Sequence, residues 1–194
     1  MSKINIDDTW SGGESMFDST YYYWNNFFSS DEADEIIKIA ESKNIERATT
    51  FDDKPDGIRD ANVIWLDYND IQWACEKMWS SVVSTNEDVD GWNLDVRGFG
   101  EQLQYTLYDK NGSYYGIHRD IGPGHQHRKI SLSLQLSNSD DYDGGDVMID
   151  NVIVPNRNKG DLIMFPSIIP HQVLPIKSGT RKSLVIWLSG PKLR

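Results

Sequence analysis

The feature that most restricts what this chain can become is a series of short, turn-bounded segments running from residue 101 to residue 188. They read "EQLQYTLYD" (101–109), "YGIHRD" (115–120), "KISLSLQLS" (129–137), "GDVMID" (145–150), "DLIMFP" (161–166), "HQVLPI" (171–176) and "RKSLVIWL" (181–188). Asn111-Gly112, Gly122-Pro123-Gly124, Gly144-Gly145, Lys159-Gly160 and Ser178-Gly179 separate them. Such pairs interrupt regular structure, because glycine admits positive φ and proline lacks an N–H. Many short strands at even spacing bury their apolar faces by stacking as a sandwich or closing as a barrel. Within "ISLSLQLS", Leu132, Leu134 and Leu136 point one way and Ser131, Ser133 and Gln135 the other. The leucines call for a packing partner. The small polar row faces either solvent or a polar cavity.

The front of the chain supplies that partner. "YYYWNNFF" (21–28) reads as an aromatic extended segment. Ser29 then stands three residues before Glu32, the capping-box spacing, with Phe28 and Ala33 as a hydrophobic staple. Ala33, Ile36, Ile37 and Ala40 recur at helical spacing. A second apolar stripe comprises Ile71, Ala74, Cys75, Met78, Trp79, Val82 and Val83. Cys75 on that stripe reads as a small buried hydrophobe. The expected fold class is α+β: a jelly roll with N-terminal helices packed on one outer sheet face. The 194 residues read as one domain, 1–194, with residues 1–20 loosely ordered.

The net charge of −11 argues against nucleic acid as the main partner, because a phosphate backbone must be met by cations. No apolar run approaches the roughly 18 residues of a membrane span. The N-terminus lacks a basic start followed by an apolar stretch. A single cysteine allows no intramolecular disulfide. These points set the expectation of a cytoplasmic protein without membrane contact. Oligomeric state is not legible.

"GSYYGIHRDIGPGHQHRK" (112–129) holds three of the four histidines. On a strand, His118 and Asp120 share a face with Cα atoms roughly 7 Å apart, and two such side chains can meet one cation at about 2.0–2.2 Å. His171 opens another strand, and Arg181 follows ten residues on. Two histidines and a carboxylate form the facial set that suits Fe(II) oxygen chemistry. An inward arginine needs an anion, and a guanidinium matches a carboxylate in bidentate fashion. His125 and His127 either join His118 in a zinc set or lie on the loop near a substrate entrance.

In these segments the chain resembles the 2-oxoglutarate and Fe(II)-dependent dioxygenases, in particular their prolyl 4-hydroxylase-like branch. The resemblance rests on "NNFFSSDEADEIIKIAE", "QYTLYDKNGSYYGIHRD", "LSLQLSNSDDYDGGDVMI" and "PHQVLPIKSGTRKSLVIWL". It implies a double-stranded β-helix in which His118, Asp120 and His171 are catalytic iron ligands. Arg181 would bind the distal carboxylate of 2-oxoglutarate, with Tyr108 and Ser183 assisting. Trp187 would wall the pocket. Gln135 stands where the branch often has an aromatic residue, and it is read with Trp187 as a candidate substrate contact. The implied co-reactants are Fe(II), 2-oxoglutarate and O2, with room for ascorbate, and the products are succinate, CO2 and a hydroxylated substrate. Asp120 favours hydroxylation over halogenation.

The resemblance points to a prolyl residue in a peptide or protein as substrate. A free amino acid or other small molecule is the alternative, and a non-catalytic metal- or ligand-binding jelly roll is a second. The segment 48–61 reads as a lid or substrate loop, in which Arg59 is either solvated or a substrate contact. Tyr114 and Tyr115 offer an aromatic groove for an extended peptide, or serve packing.

Overall fold

The computed structural model describes residues 2–3, 19–43, 46–47, 58–88 and 90–192. The expected loose start and most of the expected lid at 48–61 lie outside the described residues.

Helix α1, Ser30–Glu41, begins where the capping box places it. The Ser29 hydroxyl accepts from the Glu32 N–H (3.2 Å) and the Glu32 carboxylate accepts from the Ser29 N–H (2.7 Å). Two of the helix's orphan donors are thereby satisfied. Helix α2 spans Gln72–Glu87. The two helices bury Ala33, Ile36, Ala40, Ala74, Cys75, Met78 and Val82 in one cluster with Leu132, Leu134, Leu136, Leu184, Ile186 and Leu188. Each buried leucine contributes about 2 kcal/mol. Burial pushes the Cys75 thiol up to about 12, so it stays protonated and packs as a hydrophobe.

The leucines belong to a nine-stranded sheet. Its order is Ser2–Lys3, Tyr22–Trp24, Leu162–Pro166, Arg128–Gln135, Arg181–Ser189, Leu103–Tyr108, Asn62–Leu66 and Glu46–Arg47, with Gly98–Phe99 pairing on Arg181–Ser189. A five-stranded sheet runs Val152–Ile153, Val147–Ile149, His171–Val173, Tyr114–His118 and Arg59–Asp60. All pairings are antiparallel. The sheets face each other across a cavity of about 830 Å³ lined by residues of both. The helices cover the outer face of the larger sheet, giving an α+β double-stranded β-helix. No described helix is long and apolar enough to cross a membrane.

Two strand boundaries depart from the reading of the sequence. "HQVLPI" is split into His171–Val173 and Ile176–Gly179, because Pro175 has no N–H for a ladder. The second piece pairs instead with Tyr142–Gly144. The strand carrying His118 ends at His118, and Asp120 lies in the bend that follows. The N–H groups of Asp120 and Ile121 turn onto the carbonyl of Ser167 (3.0 and 3.2 Å), tying this bend to the larger sheet.

Candidate metal centre

His118 and His171 are direct cross-strand partners in the smaller sheet. Direct partners hold their Cβ atoms about 5 Å apart, which lets two side chains share one point in space. Each imidazole is oriented by the backbone carbonyl two residues before it: Nδ1 of His118 donates to the Gly116 carbonyl (2.8 Å) and Nδ1 of His171 to the Ile169 carbonyl (3.0 Å). A carbonyl only accepts, so Nδ1 carries the proton and Nε2 presents its lone pair. The two Nε2 atoms stand 3.7 Å and 3.4 Å from the Asp120 carboxylate. The ligand atoms of all three residues lie within 4.8 Å of one another.

Asp120 is buried. Burial opposes its ionisation, but the imidazoles of His171 and His118 and the Ser131 hydroxyl hold its carboxyl below the usual carboxylate range. Burial also pushes His171 down, which keeps its ring neutral. The nearest cation, Arg128 Nη1, stands 4.0 Å from Asp120 Oδ1, beyond hydrogen-bond reach, so two neutral nitrogens and one carboxylate oxygen fit a divalent ion of the Fe(II) type. Tyr115 stacks on His118 at 3.6 Å between ring centroids, and Phe165 meets His171 edge-on at 4.6 Å.

The same cavity is lined by Arg181, Ser183, Val185 and Trp187, alternate residues of one strand. Trp187 lies opposite Ser131 in the ladder, and Arg181 sits at the far end of that strand, opposite Tyr108. Arg181 is 1% exposed. Nη1 approaches the Ser183 hydroxyl at 3.5 Å, the guanidinium carbon lies 5.5 Å from the Tyr108 ring centre, and Nη2 has no acceptor among the described residues. No described carboxylate pairs with it. A buried guanidinium in that state requires an anion. The chain opens room for the arm at Gly145, φ +64°, where a Cβ would lie 3.1 Å from Arg181 Cδ and 2.3 Å from Ile176 Cδ1.

The residues read as substrate contacts separate into two groups. Arg59, Tyr115 and Trp187 line the cavity. Gln135 does not: its amide nitrogen donates to the Tyr142 hydroxyl (3.0 Å), and the side chain is fully buried beside that ring. Tyr114 is likewise absent from the lining. His125 and His127 do not gather with His118. They gather with Glu101, which places them in a second cluster.

Three contributors carry weak signals in the sequence. Ser131, in the polar row, donates to Asp120 Oδ2 (2.6 Å) and meets the Ser167 hydroxyl (2.9 Å). Arg128 and Glu101 form a bidentate pair, with Arg128 Nη1 also 3.3 Å from the Asp120 carbonyl. The Arg128 guanidinium lies 3.7 Å from the centre of the Trp187 ring. By strict alternation Arg128 belongs on the leucine face. The ladder slips between Leu188↔Ile130 and Ser189↔Arg128, leaving Lys129 as an extra residue. This β-bulge turns Arg128 into the cavity.

Residues 103–189 match the 2OG-Fe(II) oxygenase superfamily. A PKHD-type hydroxylase of Teredinibacter turnerae is 36% identical over 88 residues, covering 41% of this chain and 39% of the relative. The aligned stretches span 39 to 44% of the lengths of this and two further PKHD-type hydroxylases. Among solved structures, a Pseudomonas putida prolyl-4-hydroxylase superposes with a TM-score of 0.70 at 22% identity, covering 89% of this chain and 93% of that one. A Trichoplax adhaerens prolyl hydroxylase, in complex with a hypoxia inducible factor oxygen degradation domain peptide fragment, gives 0.72 at 19% identity, covering 88% and 83%. These likenesses show the fold, the double-stranded β-helix of the prolyl hydroxylases.

Proposed function

We propose, from the premise that residues 103–189 form a 2OG-Fe(II) oxygenase domain of prolyl 4-hydroxylase-like fold, that this protein is a 2-oxoglutarate-dependent hydroxylase acting on a prolyl residue of a peptide or protein. One observation carries the reading. A two-histidine, one-carboxylate cluster shares its cavity with a buried guanidinium that has no carboxylate partner among the described residues.

His118 and His171 through Nε2, and Asp120 through a carboxylate oxygen, would hold the ferrous ion. Bound Fe(II), with 2-oxoglutarate and O2, supplies the oxidising power that releases succinate and CO2 and leaves one oxygen atom on the substrate. Arg181 would receive the distal carboxylate of 2-oxoglutarate, with Tyr108 and Ser183 beside it. The charges complement one another: the guanidinium balances one carboxylate of the diacid, and a divalent cation balances the other together with Asp120. Tyr115 and Phe165 fix the imidazole rings, and Val147 and Val173 help keep the lining dry. Ascorbate would act as an accessory reductant.

The peptide reading is supported by the Trichoplax neighbour, which holds a peptide fragment. The test is incubation under air with Fe(II), 2-oxoglutarate and a panel of proline-containing peptides beside free proline. Succinate release with a mass gain of one oxygen on a peptide is the expected result. A gain on free proline alone reassigns the substrate to a small molecule. Intact metal binding without any succinate turns the assignment to a non-catalytic metal-binding jelly roll.

A further inference from the structure

The chain is acidic overall, yet its cavity is lined by Arg59, Arg119, Arg128 and Arg181 against only Glu101 and Asp120. Three of these arginines have occupations. Arg128 is bound by Glu101. Arg119 is exposed and donates from Nε to the Ile168 carbonyl (2.9 Å). Arg181 takes the co-substrate in the reading above. Arg59 is left over. Its Nη1 reaches Gln104 Oε1 at 3.3 Å, while Nε and Nη2 are shut off from solvent with no acceptor among the described residues. Those two nitrogens form the edge of a guanidinium that a carboxylate bridges side-on with two parallel hydrogen bonds.

The position of that edge matters. Arg59 pairs with Tyr115 in the ladder, and the Gly116 N–H donates to the Ile58 carbonyl (2.7 Å), so the short strand is fastened to the one bearing His118. The guanidinium lies over the Tyr115 ring at 4.6 Å, and that ring is stacked on His118. A group held by Arg59 is therefore one aromatic ring away from the metal cluster.

We infer that Arg59 is a carboxylate-binding site for the substrate, which selects molecules bearing an acidic group close to the ring that is hydroxylated. This rests on the proposed function. Two sources present the same chemistry: an acidic side chain adjacent to proline in a peptide, or the α-carboxylate of a free imino acid.

The test is by binding, so it does not depend on turnover. The protein is loaded with Mn(II) and N-oxalylglycine, a non-reacting 2-oxoglutarate analogue, and titrated with acid and amide twins. One pair is a capped peptide with Glu-Pro against its Gln-Pro twin, and the other is free proline against prolinamide. The acid member of at least one pair binds about tenfold or more tightly, the worth of a hydrogen bond to a charged group. The pair that discriminates identifies the source. Arg59→Gln brings the ratio to about one and Arg59→Lys restores part of it, as expected when charge is kept and the fork is lost. The affinity for N-oxalylglycine stays at its native value in both variants. Equal binding of the twins, no binding of either, or a preference that survives Arg59→Gln overturns the inference. Failure of N-oxalylglycine to bind overturns instead the co-substrate reading on which it rests.

Discussion

Among the described residues, two places gather two histidines and one carboxylate within 4.8 Å: His118, Asp120 and His171, and Glu101, His125 and His127. By residue type they are equivalent. They differ in what already claims the carboxylate. The Asp120 oxygens receive one hydroxyl, from Ser131, face the two imidazole nitrogens, and meet the Arg128 guanidinium only at 4.0 Å. The Glu101 oxygens are both taken by the Arg128 guanidinium, and His127 shares one of them at 3.1 Å. Burial opposes ionisation of Glu101, and Arg128 outweighs it, holding the carboxyl below its usual range. That negative charge is already neutralised, so a cation gains little there. A metal site is thus recognised by the lone pairs left open and by the backbone groups that aim them.

The sharpest way to separate the two clusters is Asp120→Ala. It is expected to weaken ferrous binding by more than ~100-fold, beyond what losing a ligand's hydrogen-bond partner costs, with turnover lost and the fold retained by circular dichroism. Full metal content in that variant would mean that Asp120 is not a ligand. Next comes Arg181→Ala, which leaves the metal in place and raises the 2-oxoglutarate requirement thirtyfold or more, the ~2 kcal/mol lower bound for removing one partner of a buried charge pair. An unchanged requirement removes Arg181 from the co-substrate site. Ser131→Ala tests whether the hydroxyl aims Asp120: metal affinity should fall about tenfold, read by Mn(II) titration monitored by electron paramagnetic resonance. The smallest effect belongs to His127→Ala in the second cluster. Metal stoichiometry is unchanged, and stability shifts by no more than about 1 kcal/mol for one lost hydrogen bond, measured by urea unfolding. Loss of a bound metal ion in this last variant would make the two clusters equals after all.

Much of the architecture is written locally. The Ser29–Glu32 capping box, the apolar stripes of the helices and the alternation of leucine with polar residues in 130–136 depend on neighbours a few positions away, and the structure follows each of them. The candidate ligands are legible for a similar reason, since His118 and Asp120 are two residues apart and His171 and Arg181 each open a strand. Less visible were the residues whose orientation depends on a partner strand. Arg128 reaches the cavity through a bulge defined by its pairing with Leu188 and Ser189. Gln135 keeps the parity of the polar row but turns to Tyr142, a residue from a different sheet.

From the order of residues alone follow the elements, the face each presents and the residue types able to bind a cation or a diacid, because periodicity and capping are short-range properties of the backbone. Folding in three dimensions settled which of two similar clusters keeps open lone pairs, and which of four cavity arginines already holds an anion of its own. Those outcomes turn on ion pairs between residues distant in sequence, such as Arg128 with Glu101, and electrostatic competition of that kind is defined only once the sheets have met.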